Sequence, residues 1–111
     1  MLYIHVDGKN IELTEHGFLQ DRSLWNETVA IALAKNVGIS LTNEHWQVIH
    51  FLRRFYQEYQ IIPPLRIFIK NLNHSFGPEL GNSVALHTLF PESPLKYSCM
   101  IGGLPKPKHC M

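Results

Sequence analysis

Cys110 stands second from the end of a 111-residue chain, in the stretch Gly102-Gly103-Leu104-Pro105-Lys106-Pro107-Lys108-His109-Cys110-Met111. Two glycines loosen such a segment, and two prolines block helix and sheet ladders. Two lysines and a histidine keep it in water. The sequence therefore predicts a mobile arm over residues 102–111 that presents a thiol to a partner. A thiolate is the nucleophile in sulfur chemistry, and cationic neighbours raise its fraction. Lys106, Lys108 and His109 act in that direction, and a terminal carboxylate at Met111 acts against it. Access is thus the main asset of Cys110. It can enter a cleft, attack a persulfide by the geometry of thiol–disulfide exchange, and leave with the sulfur. An incidental terminal cysteine fits the composition equally well.

Cys99, eleven positions upstream, is the second cysteine of the chain. As a resolving thiol it would form a disulfide with Cys110, or hold one sulfur with it as a trisulfide, if the arm folds back. As a small buried hydrophobe it would need no partner. Seven histidines are scattered along the chain, and none pairs with a cysteine at zinc-ligand spacing. No metal and no bound cofactor are expected. Ser83 and Ser40 lack the flanks of a nucleophile elbow, and Gly102-Gly103 lacks the following helix of a phosphate loop. Arg53, Arg54, Arg66 and Lys70 read as solvated helix faces or as a docking patch. Arg53 and Arg66, with Lys106 and Lys108, are the candidate docking residues.

These groups need a scaffold, and the length allows one domain. Hydrophobic residues make up 45% and twelve residues are aromatic, enough for one sizeable core. Ten Lys and Arg against nine Asp and Glu give a net charge of +1. That balance argues against nucleic acid as the main ligand, which needs a concentrated cationic face. A regulator with helix-turn-helix geometry, using Arg53, Arg54, Arg66 and Lys70, is the rival from another class. A structural subunit of a larger reductase is a third reading. The N-terminus lacks the charge and length of a signal peptide, and no apolar run reaches a membrane span. The expected address is the cytoplasm, without membrane insertion, where thiols stay reduced.

Residues 2–6 and 10–13 are β-prone runs about Asp7-Gly8, a hairpin signal. Asp21 or Ser23 should cap a helix to about Asn36, with Leu24, Thr28, Ile31 and Ala32 on its stripe and Gly38 as its stop. Thr42 should cap the central helix, in which, from Trp46, Ile49, Leu52, Arg53, Tyr56 and Tyr59 trace one side and Val48, Phe51 and Phe55 an adjoining one. Further helices are expected over residues 65 to about 72, 83–89 and 95–101. The predicted fold is α+β and mainly helical. A β-hairpin packs on an orthogonal helical bundle, with a folded core over residues 1–101 and the arm beyond it.

Four segments carry a family resemblance. They are Val6-Asp7-Gly8-Lys9; Leu41-Thr42 with Glu44-His45-Trp46, Val48-Ile49, Phe51-Leu52-Arg53 and Phe55-Tyr56; Gly81-Asn82-Ser83 with Leu89-Phe90-Pro91; and Gly103-Leu104-Pro105-Lys106-Pro107 with Cys110. The chain resembles the DsrC/TusE family of sulfur-relay proteins nearly end to end. The resemblance implies a flexible C-terminal arm whose penultimate cysteine, here Cys110, accepts sulfur as a persulfide. It implies that Cys99 matches the second cysteine of the DsrC branch, which links dissimilatory sulfite reductase to a membrane complex. The TusE branch relays sulfur toward 2-thiouridine in tRNA and typically keeps the penultimate cysteine alone. The implied partners are sulfur-donor and sulfur-acceptor proteins: sulfite reductase, or Tus-type relay proteins and a tRNA thiolase. Val84-Ala85-Leu86-His87 departs from the basic residue and tyrosines usual after Gly81-Asn82-Ser83.

Overall fold

The computed structural model describes residues 2–108. Strands β1 (Leu2–Val6) and β2 (Lys9–Leu13) pair antiparallel, with Ile4 opposite Ile11. Asp7 and Gly8 turn the chain with φ of 50° and 77°. Two consecutive left-handed residues match the twist of the flanking strands, and Asp-Gly supplies them at low strain. Ile4, Val6 and Leu13 face inward, and a bridge from Leu13 to Leu19 carries the chain into the core.

Five α-helices follow among the described residues: α1 (Glu27–Asn36), α2 (Asn43–Tyr59), α3 (Leu65–Phe76), α4 (Ser83–Leu89) and α5 (Pro94–Ile101). The helix expected from Asp21 to Asn36 is divided in two. Asp21 caps a single 3-10 turn, Arg22–Leu24, and Asn26 caps α1 by accepting from Val29 N. The buried face of α1 is Val29, Ala30, Leu33 and Ala34, whereas Leu24 and Ile31 are exposed, so the expected stripe is corrected. Residues 29–34 are apolar all round, and the hairpin and α5 select which side is covered.

Helix α2 is the central element, packed against α3 and α5, with Val48, Ile49 and Leu52 fully buried. Thr42 caps it as expected, and His45 completes a capping box. Helix α3 runs four residues past its expected end, to Phe76. The Gly81-Asn82-Ser83 motif closes α3 onto α4. A Cβ on Gly81 would overlap the Asn73 backbone, and Asn82 caps α4 by accepting from Ala85 N at 2.8 Å.

Candidate functional site

Helix α5 ends on a Schellman motif, in which the two amides beyond the helix bond back into its last turn. Gly103 adopts φ +68°, its N–H donates to Met100 O at 3.3 Å, and Leu104 N–H donates to Cys99 O at 2.9 Å. Leu104 is buried, as the residue after the left-handed position usually is. A Cβ at Gly103 would fall 2.6 Å from Trp25 Cγ, so only glycine admits the indole at this place.

Trp25 and Arg53 clamp this end of α5. Trp25 Nε1–H donates to Ile101 O at 2.8 Å. Arg53 Nη1–H donates to Gly102 O at 2.6 Å, and its guanidinium lies 3.8 Å over the Trp25 ring. Burial holds the Arg53 guanidinium below its ordinary value, yet an arginine stays cationic at neutral pH. The stack continues outward. His50 meets Trp25 edge-on and lies parallel to Trp46, and its Nε2–H donates to Glu27 at 3.0 Å.

The expectation that the chain leaves the core at Gly102 is therefore corrected. Gly102, Gly103 and Leu104 are buried: Arg53 donates to Gly102 O, the Trp25 ring packs against Gly103, and Leu104 N–H bonds back to Cys99 O. Beyond them Pro107 is also buried, while Lys106 and Lys108 are exposed. Cys110 and His109 lie outside the described residues.

Cys99 is fully buried on α5, beside the buried Ser98 and Met100. Arg53, expected as a docking residue, is half-buried and contacts the Trp25 ring and Gly102 O. Arg66 and Lys70 are exposed on α3. Lys106 and Lys108 line a groove of about 420 Å³ with Tyr56, residues 60–64, Leu95, Pro105 and Pro107. Arg22 stands beside it, donating to the Tyr56 hydroxyl at 3.3 Å. Trp25 and Arg22 were not among the expected site residues. Both act on residues more than thirty positions away in sequence, and nothing local marks them.

A second latch ties two of the sequence segments together. Thr42 N–H donates to His45 Nδ1 at 3.0 Å, so the proton sits on Nε2, which donates to Leu89 O at 2.7 Å. His45 is buried and meets Phe90 edge-on at 5.1 Å. Thr42-His45 and Leu89-Phe90 are thus one packing unit. Among the described residues no group of three His, Cys, Asp or Glu side chains is placed to hold a metal ion. No helix among them is long and apolar enough to cross a membrane.

Comparison with known proteins gives one family. Residues 5–111 match the family model described as DsrC like protein. The sulfurtransferase TusE of Escherichia coli K12 is 45% identical over 105 residues, covering 95% of this chain and 96% of that protein. The solution structure of Allochromatium vinosum DsrC superposes with a TM-score of 0.87 at 44% identity, over 98% of this chain and 97% of that one. The oxidized gamma-subunit of dissimilatory sulfite reductase from Archaeoglobus fulgidus gives a TM-score of 0.86 at 40% identity, over 99% and 100% of the two chains. With its end-to-end match in sequence and fold, the chain belongs to the DsrC-like family.

Proposed function

We propose that the protein is a sulfur carrier that accepts a persulfide sulfur on Cys110 and passes it to a partner protein. The anchored root of the C-terminal segment supports this reading: a rigid clamp at Ile101 and Gly102, followed by a proline-spaced run toward a penultimate thiol. In the accepting step, the Cys110 thiolate attacks the outer sulfur of a donor persulfide. The donor S–S bond breaks, the donor leaves as its thiolate, and Cys110 becomes the persulfide. In the passing step an acceptor thiolate takes the outer sulfur and Cys110 leaves as thiolate. Neither step needs an external oxidant or reductant. The carried sulfur is cargo, and no cofactor enters the scheme.

Cys99 supplies a second mode. Its thiolate attacks Sγ of the Cys110 persulfide, hydrosulfide leaves, and a Cys99–Cys110 disulfide remains. Because Cys99 is buried, this step waits on local opening at the end of α5. The second thiol favours DsrC-type chemistry, coupled to sulfite reductase. The relay toward tRNA thiolation is the alternative, favoured by the identity to TusE sulfurtransferases. Nothing in the comparisons supports the helix-turn-helix regulator.

Intact mass after exposure to a persulfide donor tests the proposal, with Cys99→Ser and Cys110→Ser variants beside the parent. One added sulfur, lost in Cys110→Ser, is expected. Conversion to a Cys99–Cys110 disulfide with release of sulfide assigns the two-thiol mode. Sulfur on Cys110 with Cys99 inert assigns the simple relay. Uptake that survives Cys110→Ser overturns the carrier reading.

A further inference from the structure

The groove beside the arm root carries no role in the chemistry above, and its lining has a definite character. Tyr56, Ile61, Pro63 and Leu95 make it largely apolar, and Ile61 is 57% exposed. Lys106 and Lys108 form part of the other wall. Among the described residues neither lysine is ion-paired. Arg22, at the Tyr56 hydroxyl, adds a third cation at the rim. Among the described residues no carboxylate lines the groove. An exposed apolar floor under an uncompensated cationic rim is complementary to a polypeptide that offers an apolar side chain flanked by Asp or Glu.

We propose that this groove is the docking site for the protein that exchanges sulfur with Cys110, and that this partner inserts an apolar side chain over Ile61 and Tyr56 while its carboxylates meet Lys106 and Lys108. The proposal rests on the carrier reading. Lys108 is two residues from Cys110 in sequence, so a protein that reaches the thiol meets this wall of the groove. The apolar floor selects protein over nucleic acid, which would use the lysines alone. Docking here would hold the partner while the arm tip works, and Tyr56 and Ile61 would govern transfer to proteins without touching the thiol's own chemistry.

The test uses the full chain, loaded on Cys110 with glutathione persulfide and then mixed with desalted host-cell extract, whose acceptors are macromolecular. Discharge of the persulfide is followed by intact mass. Ile61→Asp, at an exposed position that leaves folding intact, is expected to slow discharge at least tenfold with loading unchanged. Lys106→Glu with Lys108→Glu is expected to slow discharge more than it slows loading at low salt, with the difference from wild type shrinking as salt screens the charges. Val84→Asp, on an exposed face of α4 outside the groove, is expected to discharge as wild type does. Failure of the wild type to load overturns the carrier reading itself. Loading without discharge, or discharge indifferent to Ile61→Asp, overturns the docking proposal. Loss of discharge after ribonuclease treatment overturns it too, by assigning the lysines to RNA.

Discussion

The guanidinium of Arg53 lies 3.8 Å over the ring of Trp25, and each side chain holds a different carbonyl at the end of α5. Arg53 takes Gly102 O and Trp25 takes Ile101 O. A charged hydrogen bond contributes about 1.5–3 kcal/mol, and a partly desolvated cation–π contact about 1. The two share one guanidinium and do not add in full. Arg53→Ala should therefore lower the unfolding free energy by about 2 kcal/mol, read as a lower urea midpoint at unchanged slope. Arg53→Lys should recover part of this, because an ammonium can reach the carbonyl but cannot stack as a plane.

Gly103 makes the same clamp intolerant of any side chain. Its φ of +68° disfavours L-residues, and the Trp25 indole occupies the place of a Cβ. Gly103→Ala should destabilise by about 3 kcal/mol, combining roughly 1–2 for the left-handed backbone with displacement of the ring. Pairing it with Trp25→Leu should restore less than half, since the backbone strain persists. Urea titrations of the two single variants and the pair give the coupling as a double-mutant cycle.

Much of this architecture is legible in local chemistry. Thr42 announces the start of α2, and Asp7-Gly8 announces the hairpin, because caps and tight turns depend on residues within a few positions. The face of α1 is not legible. Its run from Val29 to Ala34 is apolar on every side, so periodicity selects nothing and the packing partners decide. The arm root misleads for a related reason. Gly102-Gly103 followed by two prolines has the composition of a loose segment, yet Gly103 is there for close approach by Trp25, 78 positions upstream, and Gly102 for close approach by Ser98 O. Local composition reports backbone freedom, and it cannot report what a distant side chain does with that freedom.

His45 joins two chain segments 44 residues apart through two nitrogens with opposite roles. Nδ1 accepts from Thr42 and Nε2 donates to Leu89. His45→Ala leaves the Leu89 carbonyl without this donor and opens a cavity beside Phe90. It should cost about 3 kcal/mol. His45→Asn places an acceptor near Nδ1 and should keep the helix cap alone. His45→Gln places a donor near Nε2 and should keep the Leu89 bond alone. Each should lose less than alanine does, and thermal denaturation of the three variants checks the order.

Asp21 governs a small pH dependence. Its carboxylate accepts from the Ser23 hydroxyl at 2.6 Å and from Ser23 N at 3.0 Å, which holds its pKa below the usual aspartate value. A depressed folded-state value means the stabilisation is present above the unfolded-state pKa, near 3.9, and is lost as pH falls through the folded value. The group is fully exposed, so the effect is confined to the turn at Arg22–Leu24. Asp21→Asn should therefore show a shallower loss of stability between about pH 4 and pH 2 than the parent, and matching behaviour near neutrality apart from a constant offset. Urea midpoints collected across that acid range give the comparison.

Burial of Cys99 sets the pace of any two-thiol chemistry. The side chain is 0% exposed, and its own carbonyl is bonded to Leu104 within the motif that Trp25 and Arg53 clamp. A shielded thiol reacts only from states in which its surroundings have opened, so its rate reports the free energy of that opening. In a Cys110→Ser background, alkylation of Cys99 by iodoacetamide should run at least about a hundredfold slower in the folded protein than in urea-unfolded chain. Arg53→Ala should speed the folded-state reaction by roughly thirtyfold, the equivalent of about 2 kcal/mol, where the opening that exposes Cys99 breaks the clamp, and leave it unchanged where the opening spares the clamp. Equal rates in folded and unfolded protein would show that Cys99 is accessible without opening, and the second thiol would then respond as fast as the first.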